Sequence, residues 1–126
     1  MSALTNYGED LALDTLLAGT VYIALHTGDP GEDADQNEVT TVIDADYARQ
    51  SATFAAGTGP RTLFAPVSWT TDEAASTYTV THISIWDGVT SSDNPLFKGP
   101  LLWPVSLAAG ETFDWLGPGT LVIELD

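Results

Sequence analysis

Thr79-Val80-Thr81-His82-Ile83-Ser84-Ile85-Trp86 decides the class of this chain. β-branched and aromatic residues fill the run, which contains no Gly or Pro, so it reads as a central β-strand. Val21-Tyr22-Ile23-Ala24-Leu25-His26 has the same character, with Val21, Ile23 and Leu25 on one face. Thr27-Gly28-Asp29-Pro30-Gly31 after it is strong turn chemistry.

Outward from these two runs the pattern repeats in short pieces. A brief strand is expected at 39–43 and a better one at 47–55, broken by Gly57 to Pro60. Strands follow at 63–69, with Pro66 marking an edge or bulge, and at 96–103, bent by Gly99-Pro100. Residues 72–76 read as a turn or a single helical turn, and Ser91 to Pro95 as a polar loop. Ala109-Gly110 turns into a strand at 111–116, and Gly117-Pro118-Gly119 turns into the last, at 120–125. The N-terminus differs. Asn6 and Glu9 have capping-box spacing, Leu13, Leu16 and Leu17 share a helical face with Leu11 at its edge, and Gly19 is a stop. The expectation is a single domain over 1–126. It is mainly β, an antiparallel sandwich or jelly roll of 7–8 short strands, with one N-terminal helix at about 6–18. That helix either packs on the core or docks a neighbouring subunit.

Charge sets the second constraint. Eighteen Asp and Glu stand against three Lys and Arg, for a formal net charge of -15 in 126 residues. Such imbalance costs self-repulsion that salt screens. Hydrophobic residues nevertheless make up 44% and aromatics 10%, which a disordered acidic chain lacks. The combination points to an acidic globular protein working in high salt, in a halophile or a virus of one; the competing reading is a merely acidic, soluble mesophilic protein. Three cations, Arg49, Arg61 and Lys98, cannot neutralise a phosphate backbone, so nucleic acid is excluded as a partner. No apolar run approaches membrane-spanning length, so no membrane insertion is expected, and no basic-then-apolar leader opens the chain. Without Cys there is no disulfide, thiol nucleophile or thiolate metal site.

Catalytic signals are thin. His26 and His82 each sit in a strand among apolar neighbours, and no nucleophile elbow, phosphate loop or zincin motif occurs. Asp33-x-Asp35-x-Asn37 has the spacing of the first ligands of a calcium loop, with Asp44 at the twelfth position. Glu38 stands where such a loop needs Gly, so the competing reading is a solvated acidic loop. That loop would hold calcium, sodium or potassium loosely, with no cofactor proper. Trp69, Trp86, Trp103 and Trp115 lie near strand ends, as core or interface packing or as a sugar platform. The scarce cations are expected to pair with carboxylates inside the domain or across a contact. Candidate assembly contacts are therefore Leu13, Leu16, Leu17, Arg49, Arg61, Lys98, Trp86 and Trp103.

Several stretches together carry a resemblance. They are Leu4-Thr5-Asn6-Tyr7-Gly8-Glu9-Asp10, Ala24 through Gly31, Asn37-Glu38-Val39 and Tyr47-Ala48-Arg49-Gln50, then Val80 through Asp87, Ala109 through Phe113, and Leu121 through Leu125. In these the chain resembles a family of small structural proteins of tailed phages, labelled tail-fibre or minor tail proteins. It departs from the family where a Gly-rich link is replaced by Thr40 through Asp46. The resemblance implies a non-enzymatic virion protein, assembled in the host cytoplasm and exposed on tail or capsid. Its partners would be other virion proteins, further copies of itself, a trimer being the expected state, and a host surface receptor. A capsid decoration or turret protein and a carbohydrate-binding module are the competing readings.

Overall fold

The computed structural model describes residues 3–55, 58–63, 67–90, 92–115 and 122–123. One helix, α1 (Asn6–Leu16), precedes eight strands: β1 (Val21–His26), β2 (Gln50–Ala52), β3 (Arg61–Thr62), β4 (Val67–Thr70), β5 (Tyr78–Trp86), β6 (Pro95–Leu107), β7 (Thr112–Trp115) and β8 (Val122–Ile123). All strand pairings are antiparallel. The chain is mainly β, as its alternation predicts. Four strands form one sheet in the order β2-β1-β5-β6, while β3 pairs with β8 and β4 with β7.

The cap of α1 lies one residue earlier than the spacing predicts. Thr5, not Asn6, is the N-cap, and its hydroxyl accepts the Gly8 N–H at 3.1 Å. The third helical residue is then Gly8, so no capping box closes. Leu13 and Leu17, one turn apart, are buried. Leu16 is part-exposed, and Leu11 points away from the core.

One core joins these layers. Leu13 from α1 and Leu17 at its C-cap, Val21, Ile23 and Leu25 from β1, Val80, Ile83 and Ile85 from β5, and Trp69 and Phe113 from the β4–β7 pair belong to it. Trp69 stacks on Phe113 with ring centroids 5.9 Å apart and donates its indole N–H to the Ala48 carbonyl at 3.0 Å. A second, smaller cluster of Ala24, Ala34 and Trp86 lies apart from this core. It forms because the 27–38 loop covers the face of β1 that simple alternation would leave wet, so β1 is buried on both sides.

A register shift organises β5 and β6. Val80 pairs with Val105, but His82 pairs with Pro100. The single residue Thr81 thus stands opposite the four residues Leu101 to Pro104, a bulge far larger than the usual one-residue kind. On β5 the buried set changes parity there, from Tyr78 and Val80 to Ile83 and Ile85, because each slip of one residue exchanges the faces of a strand. Pro100 and Pro104 bracket the excursion. The register shift begins at Pro100, and β6 continues well past it to Leu107.

Other boundaries moved. Residues 39–43 form no strand: Thr40 O accepts from Ile43 and Asp44 N–H, turning the chain. The 47–55 strand shortens to β2, because Tyr47 and Arg49 reach to Glu38 instead of extending a ladder. Pro66, Leu116, the 117–119 turn and all of the final strand but β8 lie outside the described residues. Among the described residues no helix is long and apolar enough to cross a membrane.

Asp44 ties the 39–46 turn to β5. It is buried and accepts the Tyr78 hydroxyl at 2.7 Å, the Asp72 N–H at 2.9 Å and the Asp46 N–H at 3.1 Å. Replacing it strands three donors. Asp44→Ala should lower unfolding stability by about 3 kcal/mol, and Tyr78→Phe by about 1 kcal/mol. Denaturant titration of both variants at fixed salt measures the difference.

Candidate functional site

Arg49 donates four hydrogen bonds from a buried position. Its Nε and Nη2 donate to the two carboxylate oxygens of Glu38 at 3.0 and 2.8 Å, a fork-to-fork pair. Its Nη1 donates to the carbonyls of Gly88 and Thr90 at 3.1 and 2.9 Å. The guanidinium lies 3.8 Å from the centre of the Trp86 ring. Tyr47 completes the cluster, donating to Glu38 Oε2 at 2.7 Å and accepting the Leu25 N–H at 3.1 Å. Arg49 holds the Glu38 carboxyl below its ordinary range although burial opposes this, while burial and Glu38 raise the Tyr47 hydroxyl. One buried cation thereby ties two loops, 27–38 and 87–94, to the sheet. The second loop is packed closely: a Cβ at Gly88 would collide with the Asp93 carboxylate.

Arg61 does the same for the helix. Its Nε and Nη2 donate to Asp14 Oδ1 at 3.2 and 2.8 Å, and Nη2 also reaches the Asp10 carbonyl at 3.2 Å. Asp10 in turn accepts the Gly59 N–H at 2.7 Å. Arg49 and Arg61 are therefore internal ties, with Trp86, Leu13 and Leu17 buried beside them. Of the candidate assembly contacts, Leu16, Lys98 and Trp103 reach the surface.

His26 and Ser84 sit at nucleophile–base distance, with Nε2 and Oγ 2.7 Å apart. Both are 0% exposed, and the Ser84 oxygen also accepts the Trp86 indole N–H at 2.7 Å. The Gln36 carbonyl, 2.7 Å from His26 Nδ1, can only accept, which fixes the proton on Nδ1. Ser84 then donates to Nε2. The chain of bonds is complete with a neutral ring, and it holds the 27–38 loop to the sheet. This is a structural histidine.

The calcium-loop residues do not converge. Asp44 is occupied as described, and Asn37 Nδ2 donates to the Asp29 carbonyl at 2.9 Å from a left-handed backbone, φ 61°. Asp33 and Asp35 are exposed. Among the described residues no group of three or more His, Asp or Glu could hold a metal ion.

Exposed large apolar side chains occur around α1 (Leu4, Tyr7, Leu11), at Val42, at Val89 and on β6. Leu101 and Val105 pack on the core at either end of the β6 bulge. Between them Leu102 is 84% and Trp103 76% exposed. No acid occurs from Asn94 to Gly110, and Lys98, the one Lys or Arg side chain not buried, lies on the same strand. Sequence spacing pointed to Trp103 but not to its projection, which depends on the register shift.

The model of the family described as "Podophage GP4 fiber I protein gp80" matches residues 3–124. The chain belongs to this family. It is thus a member of a fibre-type structural family of tailed-phage virions, and the coverage takes in α1 and every described strand. A comparison with curated proteins finds no match.

The His26 bonds predict a pH dependence. Burial lowers the pKa of His26 from its ordinary 6.5. Above that value both folded and unfolded chains hold a neutral ring, and the bonds contribute fully. Below it the unfolded chain takes the proton first, so stability falls as the pH drops toward the folded value. At fixed salt the melting temperature should decline as the pH falls below about 6.5, and His26→Gln should flatten that slope.

Proposed function

We propose that this chain is a non-enzymatic structural subunit of a tail fibre, acting by assembly on the particle, in a tailed virus whose host lives in concentrated salt. The family match over residues 3–124 carries the reading. The net charge of -15 supports the saline setting, because such a chain is stabilised where the screening length is only a few Å. Leu102 and Trp103, exposed on a stretch of β6 that carries no acid, support assembly, since assembly needs a face without like-charge repulsion. The buried Ser84–His26 pair supports a non-catalytic role, because neither group meets solvent.

Two measurements test the reading. Gold labelling of purified virions in high salt, with an antibody to this chain, should mark the tail. Label over the head would make it a capsid component, and absence from virions by both label and mass spectrometry would remove the virion reading. The melting temperature should rise between about 0.1 and 3 M salt; a flat response contradicts a saline habitat.

A further inference from the structure

We infer that Asp87–Gly88 is the site at which this chain is covalently modified with age. The Asp87 side chain closes slowly onto the Gly88 nitrogen and reopens as isoaspartate, at a rate that Asn94 sets by clamping the carboxylate. The chemistry stands apart from the fibre-subunit reading. Its importance rests on that reading, because a subunit built into a particle is not replaced by new synthesis.

Asp87-Gly88 is the one Asp-Gly pair of the sequence, and no Asn-Gly pair occurs. Such a pair favours ring closure, since Gly puts no side chain in the way of its own nitrogen and leaves the backbone free to rotate. In the step itself the Gly88 nitrogen attacks Asp87 Cγ. A C–N bond forms, the nitrogen loses its proton, and the protonated carboxyl loses its OH, so one water departs. The product is a five-membered succinimide. Water then opens the ring at either carbonyl. Opening at the backbone carbonyl leaves the main chain running through Cγ, one methylene longer, with the carboxylate moved to Cα. Mass is unchanged, and no co-reactant besides water is needed.

The fold holds the glycine in place. The Asp93 carboxylate accepts the Thr90 N–H and hydroxyl, each at 2.9 Å, and occupies the space that a Cβ at residue 88 would take. Protection of the pair therefore falls to Asn94. Asp87 Oδ1 accepts the Asn94 N–H at 2.7 Å, and Oδ2 accepts its side-chain amide at 3.0 Å. One of those two oxygens leaves as water, so closure forfeits at least one bond whatever path it takes. The bonds also act on the leaving group. The Asn94 N–H, and after it the side-chain amide, hold the Asp87 carboxyl below its ordinary range, which depletes the protonated form that can release water. Asp87 is exposed, so water reaches the ring once it has formed. Just beyond the pair, the carbonyls of Gly88 and Thr90 are held by Arg49. A methylene inserted before them shifts both relative to the guanidinium, so one aged bond loosens the 87–94 loop.

The test follows isoaspartate in the purified full chain, kept warm at neutral pH in concentrated KCl, by electron-transfer fragmentation of its proteolytic peptides. A synthetic peptide of residues 84–90 in the same buffer gives the unclamped rate. Isoaspartate should appear at position 87 before any other Asp, and about tenfold more slowly than in the peptide. Asn94→Ala removes the side-chain donor but keeps the N–H, and should speed the reaction about threefold. Asn94→Asp replaces that donor with a second carboxylate of equal size and should act in the same direction. Circular dichroism checks the fold of both, and the comparison of full chain with peptide needs neither. Isoaspartate arising first at another position would overturn the inference. So would a full chain that ages at the peptide's rate, or folded variants that age no faster than the native chain. All are read on the purified chain, so such a failure leaves the fibre reading standing, and a virion without tail label leaves the ageing site standing.

Discussion

A buried guanidinium shared by Glu38, the Trp86 ring and the carbonyls of Gly88 and Thr90 holds the two long loops of this fold in place. The chain has little positive charge with which to offset eighteen acids, and two of its three cations lie inside. The choice has a physical basis. A surface ion pair is worth little and less still in salt, whereas a buried fork-to-fork pair with its remaining donors satisfied is shielded from ions. Breaking such a pair costs about 3–5 kcal/mol. Arg49 therefore acts where added salt has least effect, while Arg61, itself buried, pairs with a half-exposed Asp14.

The loops held by Arg49 make the second face of the sheet a packed one. Ala24, Ala34 and Trp86 meet there, and His26 and Ser84 are dry because the 27–38 loop lies over them. That loop is held by the Glu38–Arg49 pair at one place and the His26–Gln36 bond at another. Two groups that could be read as a catalytic pair are thus parts of a loop fastening. The two fastenings respond to different conditions: the arginine pair persists across the neutral range, while the histidine bond depends on a neutral ring.

Periodicity made the main features legible. The alternation of Val21, Ile23 and Leu25, and the β-branched run from Thr79 to Trp86, led to two central strands that pair in the fold. Features that depend on contacts distant in sequence were not legible. Nothing local to Val39–Ile43 says that Asp44 will be drawn under Tyr78 and turn the segment. Alternation on β1 implied a wet face because it carries no information about the loop that covers it. The change of parity between Val80 and Ile83 is visible in the sequence, but its partner, the four-residue excursion of β6, appears only when the strands are paired. The same holds for the candidate contacts. The rarity of Arg49 and Arg61 marked them as important, and their burial gives the importance a different cause.

The prolines of β6 have a consequence for the crowded life of such a protein. β6 ends the four-stranded sheet and is its longest strand, which ordinarily offers an open template for stray chains. Pro95, Pro100 and Pro104 lack an N–H, and the bulge breaks the straight row of carbonyls between them. Copies accumulating at high concentration before incorporation are thereby denied a backbone zipper. Contacts at this edge then depend on side chains, which favours ordered growth over amyloid-like clumping.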